Sequence, residues 1–243
     1  MRRGDAPHHL FPMALHIGIV ACSAEGAALC YRAICAEGTA LMGTHNHPEV
    51  SLHTHALHKY MEAIDRDDWS TVGELMIDSA ARLKRIGANF AICPDNTIHQ
   101  ALDAVIGRSP LPWLHIAEEV VAEAERRGFR TVGLTGTKYL MEGPVYPPRF
   151  AARDIRQVLP PPEQRAEINR IIFDELVNGV IKPEALAYFQ GVIADLKAQG
   201  CDAVALSCTE IPLLVSEANS PLPVLDSTRL LARAALRKAV SAS

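Results

Sequence analysis

Two residues able to move protons occupy matching places in a repeated segment. Asp95 lies in Gly87-Ala-Asn-Phe-Ala-Ile-Cys-Pro-Asp95-Asn-Thr-Ile98, and Cys208 lies in Gly200-Cys-Asp-Ala-Val-Ala-Leu-Ser-Cys208-Thr-Glu-Ile211. The two segments align without gaps, so each residue stands eight positions beyond a shared glycine. Upstream, Leu83-Lys84 matches Leu196-Lys197; downstream, Ser109-Pro-Leu-Pro-Trp-Leu-His115 matches Ser220-Pro-Leu-Pro-Val-Leu-Asp226. Such a chain is expected to be one α/β unit used twice, facing itself across a pseudo-two-fold axis. Each copy then sets one polar residue at the same strand end, on opposite sides of one cleft. A carboxyl group and a thiol on opposite faces of a bound molecule suit an enzyme that inverts a carbon centre.

Each member of the pair also has an ordinary explanation. Free cysteines are most often buried and inert, and Asp commonly caps helices or makes turns. The shared register sets these two apart. A thiol at a strand-to-helix turn is open to acidification by the helix N-terminus, and its thiolate removes a proton from carbon or attacks an electrophile. Cys93 is the tempting second thiol, but it aligns with Leu206 inside the strand and is read as core.

The elements that must position this pair follow from hydrophobic patterning. Apolar, β-branched runs bounded by Gly, Pro or polar residues predict strands at 15–20, 49–53, 90–93, 114–116, 130–134, 203–206 and 224–225. Between them, Val72, Leu75, Met76, Ala80 and Leu83 form a stripe of helical period over 71–86, ending at Gly87. Helices are also predicted over 118–127, 163–176 and 183–199, with Pro160-Pro-Pro162 as a break. Alternating strands and helices imply parallel sheets with right-handed crossovers. The predicted fold is α/β, with two pseudo-symmetric domains, each a parallel sheet flanked by helices, and the site in the cleft between them. The first domain spans 14–111 plus 223–243 and the second 112–222; residues 1–13 read as a disordered lead-in. In such sheets ligands bind beyond the carboxyl ends of the strands. Four strand ends carry small or polar residues there: Ala21-Cys22-Ser23, Asp95-Asn96-Thr97, Thr135-Gly136-Thr137 and Cys208-Thr209-Glu210. They outline a pocket for a small anion.

Composition excludes several classes. The 243 residues are 49% hydrophobic and 21% charged, ordinary for a folded soluble protein, and the formal charge of −4 draws it to neither nucleic acid nor anionic lipid. No apolar run approaches the roughly 18 residues of a membrane helix, and the first dozen residues lack the apolar stretch of a signal peptide. Six cysteines without a CxxC pair indicate reduced thiols in a cytoplasmic protein. No glycine-rich phosphate loop occurs, which argues against NAD. Five histidines cluster at 45, 47, 53, 55 and 58, and His53 and His55 share a strand face. No acidic or cysteine ligand is evident beside them in sequence, so no metal site is assigned.

The chain resembles the aspartate/glutamate racemase family, cofactor-independent amino-acid racemases that need neither pyridoxal phosphate nor metal. The resemblance runs from Ile17 to about Leu236. It rests on Cys208-Thr-Glu-Ile, Asn96-Thr-Ile-His99, Leu134-Thr-Gly-Thr-Lys-Tyr-Leu-Met-Glu142 and Arg165-Ala-Glu-Ile-Asn-Arg-Ile-Ile-Phe173, with weaker agreement at Leu114-His-Ile-Ala117 and Ser23-Ala-Glu25. It implies two similar α/β domains with the site between them, a homodimer, and a catalytic pair where Asp95 and Cys208 stand. It further implies that Ser23, Asn96, Thr97, Thr137 and Thr209 hold a substrate carboxylate and amine, with Glu210 beside them, and that the last helix returns to the first domain. Three departures stand out: Asp95 replaces the commonest cysteine, the Ala21-Cys22-Ser23 turn is one residue shorter, and Glu167 replaces a frequent lysine.

With reference pKa values of about 3.9 for Asp and 8.5 for Cys, an Asp/Cys pair is unsymmetric by roughly 6 kcal/mol. The two directions are therefore expected to run at unequal rates, with Cys208 the more effective proton acceptor. An ionised Asp95 also repels a second substrate carboxylate, which favours a monocarboxylic or otherwise less acidic amino acid. Two other readings share the scaffold. One is decarboxylation or cis-trans isomerisation of a small carboxylic acid by a single cysteine. The other is a binding protein that closes on its ligand without chemistry.

Overall fold

Short apolar runs alternate with helices along this chain, and the runs at 17–21, 90–92 and 203–206 become strands buried along their whole length. The computed structural model describes residues 14–241, so the lead-in expected at 1–13 lies outside the described residues. The first half runs β1 (Ile17–Ala21), α1 (Ala24–Met42), β2 (Val50–Thr54), α2 (Leu57–Ile64), α3 (Trp69–Arg85), β3 (Phe90–Ile92), α4 (Leu102–Ile106) and α5 (Ile116–Arg126). The second half runs β4 (Thr131–Thr135), α6 (Lys138–Met141), α7 (Pro147–Ala151), β5 (Arg156–Val158), α8 (Pro162–Asp174), α9 (Pro183–Ala198), β6 (Ala203–Leu206), β7 (Val224–Asp226) and α10 (Ser227–Ser241). The strands form two parallel sheets, in the orders β2-β1-β3 and β5-β4-β6-β7.

The repeat seen in sequence is a repeat of backbone bonds. Gly87 and Gly200 both take positive φ, 97° and 86°, a conformation that favours glycine and ends the helix before each inner strand. The next residue then bonds back to the helix in the same way: Ala88 N–H to Leu83 C=O and Cys201 N–H to Leu196 C=O, both at 3.1 Å. Two residues past Asn89 and Asp202, Ala91 N–H reaches Pro112 C=O at 2.8 Å and Val204 N–H reaches Pro223 C=O at 2.9 Å.

Three expectations need correction. The strand expected at 114–116 is a single bridge, Ala91 to Trp113. His115 ends the extended chain by accepting the Ala117 N–H on Nδ1, which starts α5 at Ile116. The boundaries at 111/112 and 222/223 each fall just before a segment that still bonds to its own sheet. Trp113 pairs with β3, and β7 pairs with β6. Finally, β5 was not foreseen, because Arg156-Gln-Val is a short polar edge strand paired on one side only.

The halves exchange helices. After the first sheet the chain enters α5, whose Ala117, Val120, Val121 and Ala124 pack with Val132 and Leu134 of the second sheet. After β7 the chain enters α10, whose Leu231, Ala232, Ala235 and Leu236 pack with Ile17, Ile19, Phe90 and Ile92 of the first. Helices α5 and α10 also pack on each other, and α10 packs on α1. Neither half therefore keeps its core without the other. Leu231→Ala, at a site with no solvent exposure, is expected to cost about 2–5 kcal/mol. Because Trp69 and Trp113 both report the first half, their fluorescence and far-UV circular dichroism should follow one urea transition in wild type and variant alike. Two separated transitions would contradict the interlocked core.

Candidate active site

Parallel pairing determines which strand-end residues become neighbours. In the first sheet Ile17, Gly18 and Ile19 pair with Phe90, Ala91 and Ile92. Carried three residues on, this register sets Cys22 level with Asp95. In the second sheet Thr135 pairs with Leu206, and two residues on Thr137 stands level with Cys208. All four line one cavity. The other expected residues, Ser23, Asn96, Thr97, Thr209 and Glu210, line it too.

Small residues allow this convergence. Ser23 caps α1, accepting the Gly26 N–H at 3.4 Å. A Cβ on Gly26 would lie 2.0 Å from Thr209 Oγ1, so only glycine lets the first turn of α1 meet the loop after β6. Thr137 caps α6 by accepting the Leu140 N–H at 3.2 Å, and its hydroxyl meets that of Thr97 at 2.9 Å.

Asp95 plays two parts at once. Its Oδ1 accepts the Ile98 N–H at 3.0 Å, the capping role common for Asp. Its carboxyl also faces the cavity, and burial, reinforced by Glu210 against several hydrogen bonds, pushes its pKa up to about 6. His99 holds the backbone beneath it: Nδ1 donates to Asp95 C=O at 2.6 Å, and Nε2 accepts the Ile116 N–H at 3.2 Å. With one nitrogen donating and the other accepting, His99 is neutral, consistent with burial pulling its pKa down to about 4.

Cys208 corrects the expectation of an acidified thiol. The element after it is a three-residue turn, Ile211–Leu213, too short for a helix-end field. The thiol instead donates to Glu210 Oε2 at 3.0 Å, an oxygen that also accepts the Thr209 hydroxyl at 3.1 Å. Burial first, then the Glu210 charge, push the Cys208 thiol well above its ordinary range. The other Glu210 oxygen, Oε1, is buried and has no partner among the described residues.

Asn96 is occupied differently from expectation. It accepts the Tyr146 hydroxyl at 2.7 Å and donates to Ser227 Oγ at 2.9 Å, so most of its amide joins the halves rather than awaiting a ligand. Sequence reasoning missed Cys22 as a site residue, although the offset between β1 and β3 identifies it. Burial, then the Asp95 charge, raise the Cys22 thiol well above its usual range. Cys93, read as core, is fully buried. The histidine cluster lies apart from the cavity: His53 bonds Ser79 Oγ at 3.0 Å, and His55 Nε2 sits 2.9 Å from Asp78, an acidic neighbour invisible in sequence. No group of three metal-ligating side chains gathers among the described residues.

Residues 17–235 match the family model described as Asp/Glu/Hydantoin racemase. Over 173 residues, covering 70% of this chain and 72% of the relative, the sequence is 24% identical to the broad specificity amino-acid racemase of Bacillus subtilis. A solved structure from Yersinia pestis, assigned to the Asp/Glu racemases, is 31% identical and superposes with a TM-score of 0.83 over 93% of this chain and 99% of that one. An aspartate racemase homologue from Pyrococcus horikoshii is 26% identical, with a TM-score of 0.79 over 92% and 98% of the two chains.

The raised Asp95 pKa makes this site a measurable burden on stability. The folded protein holds the Asp95 proton more tightly than the unfolded chain, whose reference pKa is 3.8. This contribution to stability is therefore full below pH 4 and is lost as pH rises towards 6. Asp95→Asn keeps the Oδ1 acceptor without the charge. It should be more stable than wild type by about 1–3 kcal/mol at pH 8, an advantage that vanishes at pH 4. Urea titrations at both pH values read this directly.

Proposed function

Since this chain belongs to the Asp/Glu/Hydantoin racemase family, we propose that it is an amino-acid racemase using two-base proton transfer at the α-carbon, without pyridoxal phosphate or another cofactor. Asp95 serves one face of the substrate and Cys208 the other. The observation that carries this reading is the convergence of these two residues, from equivalent strand ends of two sheets, on one cavity. The broad specificity racemase of Bacillus subtilis, which matches most of this chain, supports the same reaction class. Six free cysteines accord with a cytoplasmic setting, and a homodimer follows from the family resemblance.

In the proposed cycle the Asp95 carboxylate takes the α-proton from one enantiomer. Hydroxyls of Ser23 and of the Thr97–Thr137 pair hold the substrate carboxylate while negative charge spreads onto it, and Thr209, whose hydroxyl donates to Glu210, positions that carboxylate near the substrate amine. The Cys208 thiol then gives its proton to the opposite face, leaving a thiolate beside Glu210. The reverse direction begins from that thiolate and a protonated Asp95. Near neutral pH the pair carries one proton, and the two pKa directions place it on sulfur. Cys208 is the stronger base once ionised, yet it rests as the acid. The interconverted enantiomers have an equilibrium constant of one, so kcat/KM must be equal in both directions. The asymmetry then appears in kcat and KM taken separately.

Hydrogen exchange in deuterium oxide tests the assignment. Cys208→Ser and Asp95→Asn should each lower racemisation by roughly 10²-fold or more. Each variant should still exchange the α-proton of one enantiomer, a different one in the two cases. Equal loss of exchange from both enantiomers in both variants would remove the two-base reading. A second test concerns Cys22, whose thiol, set level with Asp95 by the β1–β3 register, opposes the rise in the Asp95 pKa. The acid limb of kcat/KM should fall near pH 6 in wild type, move upward in Cys22→Ala, and return towards wild type in Cys22→Ser. An unmoved limb in Cys22→Ala would show that Cys22 does not act on Asp95.

A further inference from the structure

The cavity lining is of two kinds. Part of it is the hydroxyls, thiols and carboxylates described above. The rest is an apolar wall drawn from both halves: Leu57, Met61 and Ile64 of α2, Ile172 and Phe173 of α8, and Val177 just beyond α8. The spacing of the first three, four residues and then three, sets them on one face of α2. Four of the six, Leu57, Met61, Phe173 and Val177, are only half-buried against the core, so their remaining surface is free for a ligand to cover.

No lysine or arginine lines the cavity among the described residues. The arginines of α8, the helix that supplies part of the apolar wall, are engaged elsewhere. Arg165 reaches Glu142 and the Pro160 carbonyl, and Arg170 reaches Glu167 and Glu175. Meanwhile two carboxylates, Asp95 and Glu210, face the cavity. A third, Asp65, lies at the end of α2 and accepts the hydroxyl of the lining residue Tyr139 at 2.5 Å.

We propose that the substrate is a zwitterionic α-amino acid with an uncharged, apolar side chain, rather than a dicarboxylic amino acid. The inference rests on the racemase reading above and names the substrate class of the same site. The ammonium has acceptors in Glu210 Oε1, which lacks a protein partner, and in ionised Asp95. The α-carboxylate has the cluster of hydroxyls. A side chain leaving the α-carbon away from these groups meets the apolar wall, which rewards methyl and methylene groups in proportion to the area they lose from water. A side-chain carboxylate placed there would lose its hydration without gaining a cation, and would stand in the field of two carboxylates.

The test is a substrate panel in deuterium oxide, each enantiomer separately, read by chiral chromatography and mass spectrometry. Alanine, valine, leucine, methionine and phenylalanine are compared with aspartate and glutamate. At least one apolar amino acid should exceed both acidic ones in kcat/KM by roughly 100-fold, the scale of an uncompensated charge at a few ångströms. Met61→Lys should move the ratio of glutamate to the best apolar substrate upward by at least tenfold, while the uncharged control Met61→Gln should not. Aspartate or glutamate as the best wild-type substrate would overturn this inference and leave the racemase reading intact. Absence of α-proton exchange from every amino acid would overturn both. Because the wild-type panel decides the matter alone, a poorly folded Met61 variant does not rescue the idea.

Discussion

Strand ends of two separate sheets must be held in place around one cavity. A short chain of buried hydrogen bonds imposes that constraint. Tyr146 donates to Asn96, Asn96 donates to Ser227, and Ser227 donates to the carbonyl of Leu206 at 2.8 Å. The chain passes beside Asp95 at Asn96 and ends at the last residue of β6, two positions before Cys208. Every link is buried, so breaking one leaves a polar group without water or partner and costs more than the bond itself is worth. The bonds Thr97 to Thr137 and Tyr139 to Asp65 join the same two halves nearer the mouth. With α5 and α10 exchanged between the cores, the separation of Asp95 and Cys208 is a property of the whole molecule rather than of one loop.

That rigidity matters because the site is electrostatically unfavourable. Two thiols and two carboxylates face one cavity without a lysine or arginine among its lining. Burial raises Asp95, Cys22 and Cys208 together, and each carboxylate makes the nearby thiols harder to ionise. A flexible protein would relieve this by admitting water or turning the groups apart. Here the apolar clusters on both faces of both sheets offset the cost and keep the groups in place. Residues held where they disfavour folding are the expected signature of a site shaped by chemistry rather than by stability.

Much of this was legible in the sequence because the repeat encodes geometry directly. Glycines with the same role, the same helix-end bond and the same eight-residue spacing singled out Asp95 and Cys208 without coordinates, and both line the cavity. All eight residues expected to surround a ligand do line one cavity. What escaped depends on relations that sequence does not display. Cys22 becomes a neighbour of Asp95 only through the β1–β3 register, since 73 residues separate the two positions in the chain. The thiol of Cys208 was expected to feel a helix end, but the chain makes a short turn there and Glu210 folds back onto it. The apolar wall was hidden for another reason. Helix α2 buries Tyr60, Ala63 and Ile64, and periodicity alone does not separate its core-facing side from the side that turns to the cavity. The strand β5 carries too little apolar patterning to announce itself.

The unequal residues at the two matching positions leave each sheet with the same pair of functional groups at its strand ends. Beside Asp95 the register sets the Cys22 thiol; beside the Cys208 thiol stands the Glu210 carboxylate. Each sheet thus brings one sulfur and one carboxylate to the cavity, although the residue in the repeated position is a carboxylate in one half and a sulfur in the other. Burial disfavours ionisation of either kind of group, but from starting points several units apart. The carboxyl of Asp95, raised to about 6, still ionises below neutral pH, while both thiols keep their protons. The resting cavity therefore has an accepting oxygen from one sheet and a donating sulfur from the other. That polarity comes from two elementary pKa values rather than from any difference in backbone, and the symmetry of the fold survives beneath it.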